Sequence, residues 1–114
     1  MNYKENRPWG SFENLLDNAD CKVKLIIIKQ NECPSYQYHH KRSEVYVIIK
    51  GYGELKLDGE IIPVKPRQIL EVPIKSKHQI KNTGTEDLVF IEVQLGDYFG
   101  EDDIVRVEDK YGRV

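Results

Sequence analysis

The chain has 114 residues, of which 39% are hydrophobic and 32% charged, and its formal net charge is −2. This size and composition predict one globular domain and exclude a disordered chain. The near-neutral charge argues against a nucleic-acid partner, because domains that bind nucleic acid usually carry a basic surplus. No apolar run approaches the roughly 20 residues that a membrane span needs, and the polar start MNYKENRPWG lacks a signal-peptide core. We therefore expect a cytoplasmic protein without a membrane partner.

Short strand patterns separated by turn residues recur along the chain, while helical periodicity is almost absent. Strand signals lie at 10–16, in KVKLIIIK, at 36–40, in EVYVIIKGYGELKL, at 68–72, at 78–82 and in DLVFIEVQL. Between LKL and EII, Asp58-Gly59 predicts a hairpin, because glycine accepts the positive φ of a type I′ turn. This succession of about eight to ten short strands predicts an all-β sandwich or barrel.

One domain is expected over residues 1–114, because no linker, repeat or low-complexity segment divides the sequence. Residues 1–9 would form an N-terminal arm. The polar tail, about residues 96–114, fits a final strand, a short helix or a mixture of both, and the pattern does not decide between them.

The three histidines of the chain lie in two separate strand segments, with His39 and His40 in one and His78 in the other. Residues two apart in a strand point to the same side, so Gln37 and His39 share one face while His40 lies on the other. Glu44 begins the next strand, and His78 can approach from a facing sheet. Imidazole nitrogens with amide and carboxylate oxygens suit zinc, nickel, iron or manganese. A polar, half-exposed strand surface would explain the same residues.

A resemblance to the cupins favours the metal site. The spacing Gln-x-His-x4-Glu-x6-Gly, over residues 37–51, resembles the first cupin motif, with glutamine in place of its first histidine. The stretch PIKSKHQIKN is similar to the second motif, and because Lys75 replaces its turn glycine we expect this turn to be built differently. The resemblance implies a double-stranded β-helix, or jelly-roll, barrel with one divalent metal, held by Gln37, His39, Glu44 and His78.

Three further segments narrow the resemblance. RPWGSFE, YHHKRSE and VQLGDYFGEDDIVRVEDKYGR resemble the C-terminal cupin domain of the type II phosphomannose isomerases, over about residues 7–113. Those proteins are usually bifunctional, with a mannose-1-phosphate guanylyltransferase domain in front that has no counterpart in this sequence. The pattern departs from the family at Lys41, where a third histidine is usual, and at Val45-Tyr46, where the family continues with His-Trp.

This resemblance implies metal-dependent interconversion of mannose 6-phosphate and fructose 6-phosphate. Zinc is the expected metal, with nickel, cobalt, manganese or iron as alternatives. The resemblance also implies a homodimer, because similar cupins often pair by swapping or augmenting edge strands.

Isomerisation of a sugar phosphate moves a proton between C1 and C2, so the site also needs a proton-transferring group and a phosphate holder. Glu92 is the candidate base if the strand face that it shares with Phe90 and Gln94 lines the barrel; otherwise it is a solvated surface residue. Arg106 and Arg42 are the phosphate candidates, because the planar guanidinium fork suits phosphate. A surface role for either arginine stays open.

Two other functions fit the same residues. The chain would serve either as a metal-binding cupin without isomerase activity, in a sugar-binding or regulatory role, or as a small cupin enzyme of another chemistry, such as an oxygenase or a sugar-nucleotide isomerase. The fold alone does not separate these functions. Gln37 argues mildly against an oxygenase, because oxygenases usually use a histidine-rich iron site.

Overall fold

The computed structural model describes residues 2–112, and these residues form eleven β-strands. No helix long and apolar enough to cross a membrane is found among them. The strands, in chain order, are β1 (Lys4–Arg7), β2 (Gly10–Asp17), β3 (Cys21–Ile28), β4 (Tyr36–Tyr38), β5 (Arg42–Lys50), β6 (Gly53–Leu57), β7 (Glu60–Val64), β8 (Ile69–Val72), β9 (His78–Asn82), β10 (Leu88–Gly96) and β11 (Val105–Glu108).

These strands form two antiparallel sheets. The six-stranded sheet has the order β1-β2-β3-β10-β5-β8, and the five-stranded sheet has the order β11-β4-β9-β6-β7. Strand β10 lies between β3 and β5, so the pairing joins segments that are far apart in sequence. The all-β barrel expected from the sequence is confirmed.

The interior between the sheets is apolar at one end and polar at the other. Along β10 the inward residues are Leu88 and Phe90, followed by Glu92 and Gln94, and all four are buried. The apolar part is a cluster of Trp9, Phe12, Ile26, Ile28, Tyr46, Ile48, Leu55, Val64, Leu70, Val72, Ile80, Leu88 and Phe90. Burial of this cluster stabilises the barrel through the hydrophobic effect, and it leaves the polar end of the interior free for chemistry.

The strand predicted over residues 36–40 is shorter than expected, because β4 ends at Tyr38. The backbone N–H groups of His40 and Lys41 donate to the carboxylate of Asp103, at 3.1 and 3.0 Å, and so they are not available to a strand ladder. The polar strand β1 has no alternating pattern that would have indicated it. It pairs only with β2 at the sheet edge, where polar residues are tolerated.

Two turns test the sequence-based expectations. Asp58 and Gly59 have φ values of 48° and 87°, which confirms the predicted hairpin with positive φ at both central residues. Lys75 has a φ of 67°, so the expectation that this turn is built differently is wrong: a lysine occupies the left-handed conformation that glycine favours. The Lys75 N–H donates to the carbonyl of His39 at 2.8 Å, which links the turn to the segment that carries His39.

Replacing Lys75 with glycine is expected to raise the free energy of unfolding by about 0.5–1 kcal/mol. The strain of a left-handed lysine exceeds the chain entropy that glycine adds to the unfolded state. Chemical denaturation would measure this change. The matched control is Lys81→Gly, since Lys81 is an exposed residue within β9 and glycine there should destabilise the sheet by a similar amount. Equal losses for both variants would contradict the argument.

Candidate metal centre

Three buried side chains meet at the polar end of the interior. His39 follows β4, Glu44 lies in β5 and His78 begins β9, and each is at most 3% exposed. One nitrogen of each histidine and one Glu44 carboxylate oxygen lie within 4.8 Å of one another. Both histidines approach the same carboxylate, with 3.4 Å from His39 Nε2 to Glu44 Oε2 and 3.4 Å from His78 Nε2 to Glu44 Oε1.

Backbone carbonyls fix the tautomer of both histidines. The Nδ1 of His39 lies 2.6 Å from the carbonyl oxygen of Asp103, and the Nδ1 of His78 lies 3.0 Å from that of Ser76. A carbonyl oxygen only accepts, so each Nδ1 carries a proton, and in a neutral ring Nε2 would offer its lone pair. Among the described residues, the buried His78 Nε2 has no hydrogen-bond partner. Two imidazoles and one carboxylate that converge in this way fit a divalent metal.

The charges around Glu44 keep it ionised. Burial by itself would raise the pKa of Glu44, but the 3.4 Å contact with His78 and the charges of His78, Arg42 and His39 hold the pKa well below its usual range. The hydroxyl of Tyr46 also donates to Glu44 Oε1 at 2.8 Å. Burial lowers the pKa of His39, which favours the neutral ring that a metal needs. For His78, burial opposes protonation, but the close contact with the charged Glu44 carboxylate raises its pKa overall.

The predicted ligand Gln37 lies on β4 directly opposite His78 on β9. Its Oε1 accepts a hydrogen bond from the Ser35 hydroxyl at 2.6 Å, so one lone pair of the amide oxygen is already used. A carbonyl oxygen has a second lone pair, and this one remains for a metal.

His40 is exposed and contacts Tyr38 edge to face, away from the His39–Glu44–His78 group, as the strand parity predicts.

Arg42 lies against the metal-ligand candidates. Its Nε donates to Glu44 Oε2 at 3.0 Å and its Nη2 to His39 Nε2 at 3.2 Å, while its Nη1 is buried and without a partner among the described residues. Two of its three nitrogens therefore orient Glu44 and His39. A metal on His39 Nε2 would have to displace the Nη2 hydrogen bond.

Glu92 faces inward, on the same side of β10 as Phe90, and is 7% exposed. Burial and the nearby charge of Glu44 raise the pKa of Glu92 to about 7, although Gln94 Nε2 donates to Glu92 Oε2 at 2.7 Å. A carboxyl group with a pKa near neutrality gains and loses a proton readily at the pH of the cell.

One cavity adjoins these groups. Glu92, His78, Arg42 and Gln37 line it together with Arg106, which lies on β11 opposite Gln37. The Nε of Arg106 is buried and has no hydrogen-bond partner among the described residues.

Sequence reasoning missed two residues at this site. Lys24 also lines the cavity. It lies two residues before Ile26 and four before Ile28, both buried, and this spacing indicates that its side chain points inward. Asp103, whose carbonyl holds His39, gave no signal, because nothing in the sequence indicates a contact over 64 residues.

The fold defines the class of protein, a cupin, with the candidate metal group inside its barrel. The chain superposes on a protein with a double-stranded beta-helix domain from Klebsiella pneumoniae, with a TM-score of 0.74, 18% identity, and coverage of 84% of this chain and 77% of that one. More specifically, the chain belongs to the family described as mannose-6-phosphate isomerase C-terminal, whose model matches residues 1–109.

Curated relatives agree with this family. Alginate biosynthesis protein AlgA of Pseudomonas fluorescens is 41% identical over 107 residues, which are 94% of this chain and 22% of the relative. Mannose-1-phosphate guanylyltransferase ManC of Salmonella typhimurium is 36% identical over 114 residues, which are 100% of this chain and 24% of the relative. The chain thus spans less than a quarter of the length of either relative.

Proposed function

We propose that this chain is a metal-dependent isomerase that interconverts mannose 6-phosphate and fructose 6-phosphate. The observation that carries the proposal is one cavity lined both by Glu92, an acid–base group of near-neutral pKa, and by His78, one member of the His39–Glu44–His78 group. Membership of the mannose-6-phosphate isomerase C-terminal family supports the choice of substrate.

The reaction transfers one proton between C2 and C1 of the sugar through an enediolate, and a hydroxyl proton moves between O2 and O1 at the same time. In this proposal Glu92 takes the proton from C2 of the aldose and returns it to C1, so one buried carboxyl group serves in both directions. His39, Glu44 and His78, with Gln37, would hold the metal, zinc by preference. When bound, the metal supplies Lewis-acid stabilisation of the charge that develops on the sugar oxygens. Burial of the site excludes water, which strengthens every charge interaction within it.

The cavity is suited to an anionic substrate. Its described lining includes the cationic residues Arg7, Lys24, Arg42 and Arg106 and the acidic residues Glu92 and Glu101. Because the Arg106 Nε has no hydrogen-bond partner among the described residues, its guanidinium is available to a phosphate group. Arg42 would complete the contact with its free Nη1 once a metal holds Glu44 and His39.

A coupled assay of the purified protein with mannose 6-phosphate tests this function. Turnover to fructose 6-phosphate is expected after addition of zinc, cobalt or manganese, and it should disappear on treatment with a chelator. Absence of turnover with every one of these metals would refute the isomerase proposal.

One observation favours the alternative of a non-catalytic sugar-binding or regulatory cupin. The guanidinium of Arg42 already neutralises Glu44 and contacts His39 Nε2, so a cation is present without a metal. That alternative predicts binding of sugar phosphate without turnover and without a requirement for metal. The same assay, together with a binding measurement, would distinguish it from the isomerase.

We also propose that the chain forms a homodimer through the outer face of the six-stranded sheet. Strands β3, β5 and β10 carry apolar residues on this face as well as inside, a composition typical of strands covered on both sides. The outward apolar residues are Val23, Leu25, Ile27, Val45, Val47, Ile49, Val89, Ile91, Val93 and Leu95. A second copy presents the same apolar patch on these three strands, and the outward acids Glu13 on β2 and Glu71 on β8 lie beside it, opposite Leu25 and Val45.

Light scattering is expected to give about twice the chain mass of 13.3 kDa. Val47→Glu should yield a monomer, because it places a charge in the centre of the apolar face. Ile61→Glu is the control, since Ile61 is also an exposed apolar residue but lies on β7 of the other sheet. A wild-type monomer at micromolar concentrations, or a dimer that survives Val47→Glu, would contradict this interface.

A further inference from the structure

Lys24 is a buried lysine that the proton transfer and the metal-ligand set do not use. It lies on the inward face of β3, in line with Ile26 and Ile28, and is 4% exposed. On the neighbouring strand its backbone partner is Glu92. A buried ammonium group is costly unless a partner compensates its charge. The partner of Lys24 therefore indicates which chemical group binds at this position.

That partner is the carboxylate of Glu101, which forms an ion pair with the Lys24 ammonium. The ammonium also lies 4.2 Å from the ring centroid of Phe12, a second contact that fixes its position. Glu101 belongs to the segment between β10 and β11 and lines the same cavity as Lys24.

The two members of this ion pair differ in their surroundings. The side chain of Lys24 is 6% exposed, whereas that of Glu101 is 47% exposed. The cation is therefore held within the barrel, while the anion approaches from the solvent side. An exposed carboxylate contributes little when it exchanges with another anion, because water solvates it readily once it leaves.

We propose that Lys24 binds the anionic group of the ligand, and that Glu101 occupies this position in the unliganded protein. For the identity of the ligand as a sugar phosphate, this inference rests on the proposed function. A phosphate oxygen replaces the Glu101 carboxylate on the ammonium, and the side chain of Glu101 moves into solvent. Lys24 thus adds a further, fixed cation to the contacts that Arg106 and Arg42 offer.

The test is an NMR titration of the protein with inorganic phosphate at constant ionic strength, followed through the backbone amide shifts. Phosphate alone requires no turnover, so failure of the isomerase proposal would leave this result intact. Lys24→Met is expected to weaken phosphate binding by about tenfold or more, because a charge-assisted hydrogen bond is lost. The control Lys22→Met removes a lysine that lies 3.9 Å from the same Glu101 carboxylate but does not line the cavity, and it should change the affinity less than about threefold.

Glu101→Gln provides an independent arm, which also serves if Lys24→Met does not fold. It removes the competing carboxylate and is expected to tighten phosphate binding several-fold. The inference is overturned if the wild type binds no phosphate, if the two lysine variants weaken binding equally, or if Glu101→Gln leaves the affinity unchanged.

Discussion

Replacing His78 with alanine is expected to remove the metal from the protein and to reduce isomerase turnover by a factor of roughly 100 or more. Even the loss of a group that only hydrogen-bonds to a metal ligand lowers metal affinity about 10- to 100-fold. His78 supplies one of the two imidazole nitrogens that approach Glu44, and its Nε2 has no other hydrogen-bond partner in the described chain. His39 and Glu44 would then remain with Gln37, and this set keeps only one of the imidazole nitrogens with which zinc is usually bound. Metal analysis of the purified variant would measure the loss.

His40→Ala is the matched control for this experiment. It removes a neighbouring histidine that is exposed and lies away from the candidate ligands. Its metal content and turnover should match those of the wild type. Unchanged metal content in His78→Ala would mean that the ligand set is wrong, and loss in both variants would mean that the effect is not specific to the site.

Replacing Glu92 with glutamine is expected to lower kcat by about 10²–10⁴ with little change in KM, because it removes the group that transfers the proton but keeps its size. In the wild type, kcat should rise with pH as Glu92 loses its proton and becomes a base, because burial raises the pKa of Glu92 towards neutrality. This limb of the pH profile should be absent in the variant. Glu54→Gln, at an exposed position on β6, is the control and should retain full activity. A pH profile that is the same in Glu92→Gln and the wild type would exclude Glu92 as the base.

The same substitution has a consequence for stability. The pKa of Glu92 is raised from 4.5 to about 7 in the folded chain, so the folded state binds this proton more tightly than the unfolded state. Its contribution to stability is therefore complete below about pH 4.5, is lost as pH rises through about 7, and amounts to about 3 kcal/mol. With chelator present, Glu92→Gln should raise Tm relative to the wild type at pH 8 and much less at pH 5. Equal differences at both pH values would contradict the buried, protonated carboxyl group.

The parts of the site that follow strand periodicity were predictable from the sequence. Alternation along DLVFIEVQL placed Glu92 on the face of Phe90 and Gln94, and burial of all three decides which face lines the barrel. The same reasoning applied to KVKLIIIK would have placed Lys24 inside with Ile26. An alternating pattern indicates which residues point inward, because residues two apart lie on the same side of a strand.

Contacts between distant segments were not predictable. Asp103 fixes both the His39 ring and the chain after β4, and Glu101 pairs with Lys24, yet both acids lie in a polar tail without regular alternation. A contact of this kind depends on the tertiary path of the tail, which local pattern does not encode. Lys75 is a further case, since its left-handed conformation is imposed by the surrounding turn against its own preference.

We propose that a metal held by His39, Glu44 and His78 makes this barrel an isomerase. Titration of the metal-free protein with zinc, while conversion of mannose 6-phosphate to fructose 6-phosphate is recorded, tests this proposal. Activity should rise with added zinc and reach a plateau at one ion per chain, and His78→Ala should give no such rise. Activity that is independent of added metal, or no activity at any ratio of metal to protein, would show that the proposal is wrong.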